Sequence, residues 1–110
     1  MNKTAAEILE SALKTHKEKG AEYGNTYLMH GEIMKALFPK GLNLESAEDF
    51  TRFGTLNMIV SKLGRYASNV SRGNTHTDSL HDMIVYSAML EEIDRKMLDE
   101  RDDADNVRGY

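Results

Sequence analysis

The 110-residue chain contains no cysteine, and this absence removes several kinds of chemistry. Disulfide bonds, zinc sites built on thiolates and a cysteine nucleophile are all excluded. A chain without cysteine is also compatible with the reducing cytoplasm, which is where we expect this protein to act.

Long hydrophobic runs are missing as well. No window approaches the roughly 18 continuous apolar residues that a membrane-spanning helix needs. The N-terminal stretch MNKTAAEILESALK has no apolar signal core, so we expect neither membrane insertion nor secretion. The formal net charge of −4 argues against a general nucleic-acid binder, because phosphate contacts need a basic surface. One basic pocket for a small phosphorylated ligand remains compatible with that charge.

Apolar residues recur at spacings of three and four in several segments, which indicates helices. Thr4 and Glu7 form a capping-box pattern before the first segment, and Ser46 and Asp49 form another before the third. Pro39 should end the second segment. The predicted helices span about 5–20, 26–38, 46–70 and 78–99, the last one capped by Thr75 or Thr77.

These helices predict a single all-α domain over residues 1–100, followed by a flexible polar tail over 101–110. The architecture is a four-helix bundle in which helices three and four form an antiparallel hairpin around Gly73. A chain this short buries only about two-thirds of its unfolded surface, so we expect a homo-oligomer. The residues expected to face the core are Tyr27, Ile33, Met34, Leu37, Phe38, Phe50, Phe53, Leu56, Ile59, Val60, Leu63 and Tyr66.

The predicted hairpin concentrates charge on its two helices. Lys62 and Arg65 share a face of helix three, while Asp78 and Asp82 share a face of helix four that Tyr86 continues. If the helices are antiparallel about Gly73, two cations face two carboxylates and a phenol.

This cluster has two interpretations. It is either a structural set of salt bridges, which is the usual way to tolerate charge near a core, or a ligand pocket. In the pocket, Lys62 and Arg65 would hold phosphate, for which the planar fork of Arg is well suited. Asp78 and Asp82 would then hold a hard cation such as Mg²⁺.

The stretch KGAEYGN, from Lys19 to Asn25, is a second candidate for ligand binding. Gly20 and Gly24 provide backbone freedom, and Tyr23 is placed to stack on a base. The alternative is an ordinary turn at the end of a helix, with Tyr23 in the core. His30 and His81 are candidate metal ligands, although an isolated histidine is more often a surface or hydrogen-bonded residue.

Three pieces of the chain, in this order, resemble a known group of proteins: EKGAEYGN, LNMIVSKLGRYAS and HTDSLHDMIVYSAML. The pattern is similar to that of small all-helical phage and bacterial proteins, including the nucleotide modification associated domain family. Those proteins resemble in turn the MazG-like nucleoside triphosphate pyrophosphohydrolases, whose carboxylates hold Mg²⁺ on two helices. The resemblance covers roughly residues 10–93 and implies a MazG-like bundle.

By that resemblance Asp78 and Asp82 match the second metal motif, whereas Lys62 and Arg65 stand where the family has its first Glu pair. Two cations in place of two carboxylates remove half of a metal cage. The resemblance therefore implies a phage-type protein of the host cytoplasm that binds a phosphorylated nucleotide through Lys19, Tyr23, Gly24, His30, Lys62, Arg65, Asp78, Asp82 and Tyr86.

Within that function, two forms stay open. One is a degenerate Mg²⁺-dependent pyrophosphohydrolase, and the other is a protein that sequesters a signalling nucleotide from a host defence effector. A second class is a non-enzymatic module that binds or inhibits a host protein through its acidic fourth helix. In that case the charge cluster would be purely structural.

Overall fold

The structure, a computed structural model, describes residues 2–23 and 26–107, with side chains described for 2–20 and 26–101. The described residues form helices and no strand, which confirms the all-α class. The elements are α1 (Ala5–Tyr23), a short 3₁₀ turn (Thr26–Leu28), α2 (His30–Leu37), α3 (Ala47–Ser71) and α4 (Thr77–Val107).

The start of α3 is capped as its sequence predicts. The backbone N–H of Asp49 donates to Ser46 Oγ, and the backbone N–H groups of Ser46 and Glu45 donate to Asp49 Oδ2, each at 3.1 Å. The hydrogen bonds from Ser46 and Glu45 lower the pKa of the Asp49 carboxyl below its ordinary value. The cap therefore stabilises the fold above the ordinary carboxyl pKa, and this contribution is lost as the pH falls through the lowered value.

The predicted hairpin is the centre of the fold. Gly73 adopts a positive φ of 78° between α3 and α4, which a glycine does without steric cost. The two helices pack against each other along most of α3. From α4, the residues facing α3 recur at alternating spacings of four and three; they are Ser79, Met83, Tyr86, Leu90, Ile93 and Met97. On α3, Val60 is buried.

Several predicted boundaries were wrong. α1 continues past Gly20 to Tyr23, and α4 continues past Asp99 to Val107. The predicted second helix is two elements, because a 3₁₀ turn precedes α2. Residues 108–110 of the predicted tail lie outside the described residues.

Part of the predicted core was also wrong. Tyr27, Leu37, Phe50 and Leu63 are all about half exposed or more. Helical spacing identifies the apolar side of a helix, but only a packed neighbour covers it, and the neighbouring described elements leave these four side chains largely uncovered. No described helix is both long and apolar enough to cross a membrane.

A histidine rather than a threonine caps α4. The backbone N–H of Ser79 donates to His76 Nδ1 at 3.2 Å, and Ser79 Oγ lies 2.6 Å from the same nitrogen. Because the amide must donate, His76 Nδ1 is the acceptor, and the neutral ring carries its proton on Nε2. Ser79 is buried, so both of its polar groups depend on this imidazole.

We predict that His76→Ala lowers the free energy of unfolding by about 1 kcal/mol, because it removes the cap of α4. Asn is a favoured cap residue, so His76→Asn should retain most of the stability. Urea denaturation followed by circular dichroism at neutral pH measures both variants. Equal losses for Ala and Asn would contradict a capping role.

Candidate functional site

The charged face predicted on the hairpin forms between α3 and α4. Lys62 Nζ lies 3.1 Å from Asp82 Oδ2, with the Lys62 side chain 19% exposed and that of Asp82 42% exposed. A second ion pair, Arg52 Nε to Asp94 Oδ1 at 2.8 Å, joins the same helices nearer the start of α3. The expectation that Lys62 faces the carboxylates of α4 is therefore met at Asp82.

The other members of the predicted cluster take separate positions. Arg65 is half-buried on α3, with its Nε atom fully buried. Asp78 is exposed in the first turn of α4, where a carboxylate complements the helix dipole. Tyr86 is half-buried on the side of α4 that packs against α3.

A cavity of about 540 Å³ opens beside Lys62 and Arg65, between α3 on one side and the 3₁₀ turn and α2 on the other. We call it the Lys62–Arg65 groove. Its volume falls within the range of small-molecule sites, roughly 300–1,000 Å³. The described residues that line it include both cations and no carboxylate; they are Thr26, Tyr27, His30, Ile33, Asn57, Met58, Val60, Ser61, Lys62, Gly64 and Arg65.

Two local contacts hold the walls of the groove together. His30 Nε2 and Asn57 Oδ1 are 2.8 Å apart, which ties the start of α2 to the middle of α3. Two turns further along α3, a Cβ atom at Gly64 would lie 3.5 Å from the Cβ of Thr26, so the 3₁₀ turn approaches α3 to van der Waals distance at this glycine. The groove is therefore bounded by packed elements on both sides.

In the stretch from Lys19 to Asn25, no residue with a described side chain lines this groove. Lys19 is exposed near the end of α1 and does not line it. The side chain of Tyr23, and Gly24 altogether, lie outside the described residues. His81 is exposed on α4 and is not a lining residue either.

The carboxylates do not form a donor set suited to Mg²⁺. Within the described part of the chain, no three His, Asp or Glu side chains come together as a metal site requires. Lys62 also competes with any cation for Asp82, since its ammonium already lies 3.1 Å away. Metal binding by Asp78 and Asp82 stays a prediction that this geometry does not support.

Three lining residues were missed as candidates: Tyr27, Asn57 and Ser61. Tyr27 was assigned to the core, yet it is 59% exposed and its ring meets that of His16 edge to face, with centroids 6.2 Å apart. The signal for the other two lies in the sequence, because Asn57, Ser61 and Arg65 recur every four residues. Such a polar stripe along one side of a helix marks a face that an apolar neighbour does not cover.

Comparison of the chain with protein families, with curated proteins and with solved structures finds no match. We therefore infer the function from the Lys62–Arg65 groove.

We predict that Lys62→Met and Asp82→Asn each change the free energy of unfolding by no more than about 1 kcal/mol. The pair is partly exposed, and ion pairs in water-accessible positions contribute little. Met keeps the aliphatic stem of the lysine, so packing is preserved. Urea denaturation at low and high salt measures the effect, with Arg52→Met as the matched comparison from the other ion pair between these helices.

A loss of several kcal/mol for Lys62→Met alone would contradict this prediction. It would show that Asp82 is left with an uncompensated charge, as in a buried salt bridge.

Proposed function

We propose that this protein binds a phosphorylated nucleotide in the Lys62–Arg65 groove. The observation that carries the proposal is that Lys62 and Arg65 line one cavity of ligand size together with an aromatic ring, Tyr27, and without a carboxylate among its described lining residues.

Electrostatics favour an anionic ligand in this position. The chain as a whole carries a net charge of −4, so its two groove cations stand out against an acidic background. Arg65 offers a planar fork of donors that matches two phosphate oxygens, and Lys62 offers a compact point charge beside it. Lys62 already pairs with Asp82, but a partly exposed ion pair is weak enough for a phosphate to compete with it.

The rest of the groove suits the base and sugar of a nucleotide. Ile33, Met58 and Val60 supply an apolar surface, and the exposed ring of Tyr27 is available for stacking. His30 and Asn57 hold each other by a hydrogen bond at the same site, and they offer polar groups that can select a ligand.

We infer binding rather than metal-dependent hydrolysis. A Mg²⁺-dependent pyrophosphohydrolase needs several carboxylates around the phosphates, and the described residues of this groove supply cations instead. A protein that holds a nucleotide without cleaving it acts as a sequestering protein. Binding without cleavage favours a protein that removes a nucleotide signal over a degenerate enzyme. We propose that this removal serves a phage-type, anti-defence role.

The test is a thermal-shift and calorimetry screen of the purified protein against mono-, di- and triphosphate nucleotides, deoxy forms and cyclic dinucleotides, with and without Mg²⁺. We expect at least one nucleotide to raise Tm, since a ligand that binds only the folded state stabilises it by mass action. Chelation of Mg²⁺ should leave the binding intact, because the groove meets phosphate through its own cations.

Substitutions of the two groove cations test whether the nucleotide binds in the groove. Lys62→Met and Arg65→Met should each weaken binding about tenfold or more, which is the effect of losing one hydrogen bond to a charged group. Asp82→Asn should retain or strengthen binding, because it releases Lys62. The control, Arg52→Met, removes the other ion pair between α3 and α4 without touching the groove and should bind as the wild type does.

No shift with any nucleotide would overturn the proposal and favour the protein-interaction class. Binding that requires Mg²⁺ and ends in hydrolysis would overturn the sequestering form and favour the enzyme.

A further inference from the structure

The single chain exposes more surface than a protein of its size should. Its accessible surface is 8567 Å² for 12.4 kDa, whereas folded monomers of that mass expose about 6,100 Å². Its radius of gyration is 19.3 Å, against about 13 Å for a compact domain of this length. The excess of about 2,400 Å² is well above the roughly 800 Å² that each partner buries in a standard stable interface.

Much of this exposed surface is made of large hydrophobic side chains. Val60 is the sole hydrophobic side chain that is buried among the described residues. The other apolar side chains between α3 and α4, such as Leu56, Met83 and Leu90, are only half-buried. Covering the exposed apolar side chains would therefore add burial that the single chain lacks.

Two surfaces account for much of this exposure. The first, which we call the α1 stripe, consists of Ile8, Leu9 and Leu13, all more than half exposed on one side of α1. The second, the α4 outer patch, consists of Ile84 and Val85, which point away from α3, flanked by Leu80 on one side of the helix and Met89 on the other. α4 packs on α3 through its opposite side, so α3 cannot cover the outer patch.

One charge next to each surface is complementary to a charge next to the other. Exposed Lys17 follows the α1 stripe and exposed Glu92 follows the α4 outer patch, whereas Glu91 already pairs with Arg95 at 2.7 Å. Lys17 lies nine residues after Ile8, and Glu92 lies eight residues after Ile84. At 1.5 Å per residue, parallel helices with Ile8 beside Ile84 therefore bring Lys17 and Glu92 to similar heights.

We propose that a second copy of this chain covers these surfaces, with the α1 stripe of each copy packed on the α4 outer patch of the other. The arrangement is reciprocal, so it closes as a two-fold dimer and leaves neither surface open to further copies. None of these residues lines the Lys62–Arg65 groove, so this proposal stands or falls separately from nucleotide binding.

The first test is the mass of the purified protein in solution, by light scattering and sedimentation velocity over a range of concentrations. We expect a dimer. Ile84→Lys and Leu9→Lys should each raise the dimer dissociation constant at least 100-fold, because the interface contains each changed residue twice. The control, Leu37→Lys, changes a side chain of α2 that is 54% exposed and belongs to neither surface, and it should leave the dimer intact.

A second test uses only exposed charged residues, so loss of folding does not complicate it. Lys17→Glu and Glu92→Lys should each weaken the dimer several-fold, and the two changes combined in one chain should restore it, since both copies then carry the reversed pair. A monomeric wild type would overturn the proposal and leave these surfaces to a different protein. A dimer indifferent to Ile84→Lys, Leu9→Lys and the charge reversals would overturn it too, by placing the interface elsewhere.

Discussion

The packing of α3 against α4 is the contact on which the rest of the structure depends. It holds the alternating apolar residues of α4 against α3. Two ion pairs, Lys62 with Asp82 and Arg52 with Asp94, lie at different heights along it. The ion pairs are too exposed to supply much stability, but their geometry requires the two helices to keep one register. All other elements pack on the outside of this pair.

The groove forms because other elements pack against α3 on two of its sides. One side meets α4, and the other receives the 3₁₀ turn and α2, which approach closely at Gly64 and are tied down through His30 and Asn57. Lys62 lies where these two sides meet, because it pairs with Asp82 of α4 and also lines the cavity, whereas Arg65 lines the cavity. Lys62 therefore joins the two helices and also borders the cavity for which we propose an anionic ligand.

The helices, the caps at Thr4 and Ser46 and the hairpin at Gly73 follow from local rules. Helical periodicity, capping pairs and a glycine with positive φ are properties of a few neighbouring residues, so a single sequence reveals them. Even there, the cap of α4 was assigned to a threonine, whereas His76 accepts the hydrogen bond. A histidine is an uncommon cap, and only its distance to the Ser79 amide identifies it.

The sequence by itself determined the helical class, the hairpin and the presence of two cations and two carboxylates on its facing helices. Only the tertiary structure decided that Lys62 meets Asp82, that Arg65 joins Tyr27, His30 and Asn57 around a cavity, and that Leu37 and Leu63 stay exposed. The physical reason is that periodicity specifies which side of a helix is apolar or charged. Which neighbour meets that side depends on the packing of segments distant in the chain, and for the α1 stripe and the α4 outer patch we propose that this neighbour is a second copy of the chain.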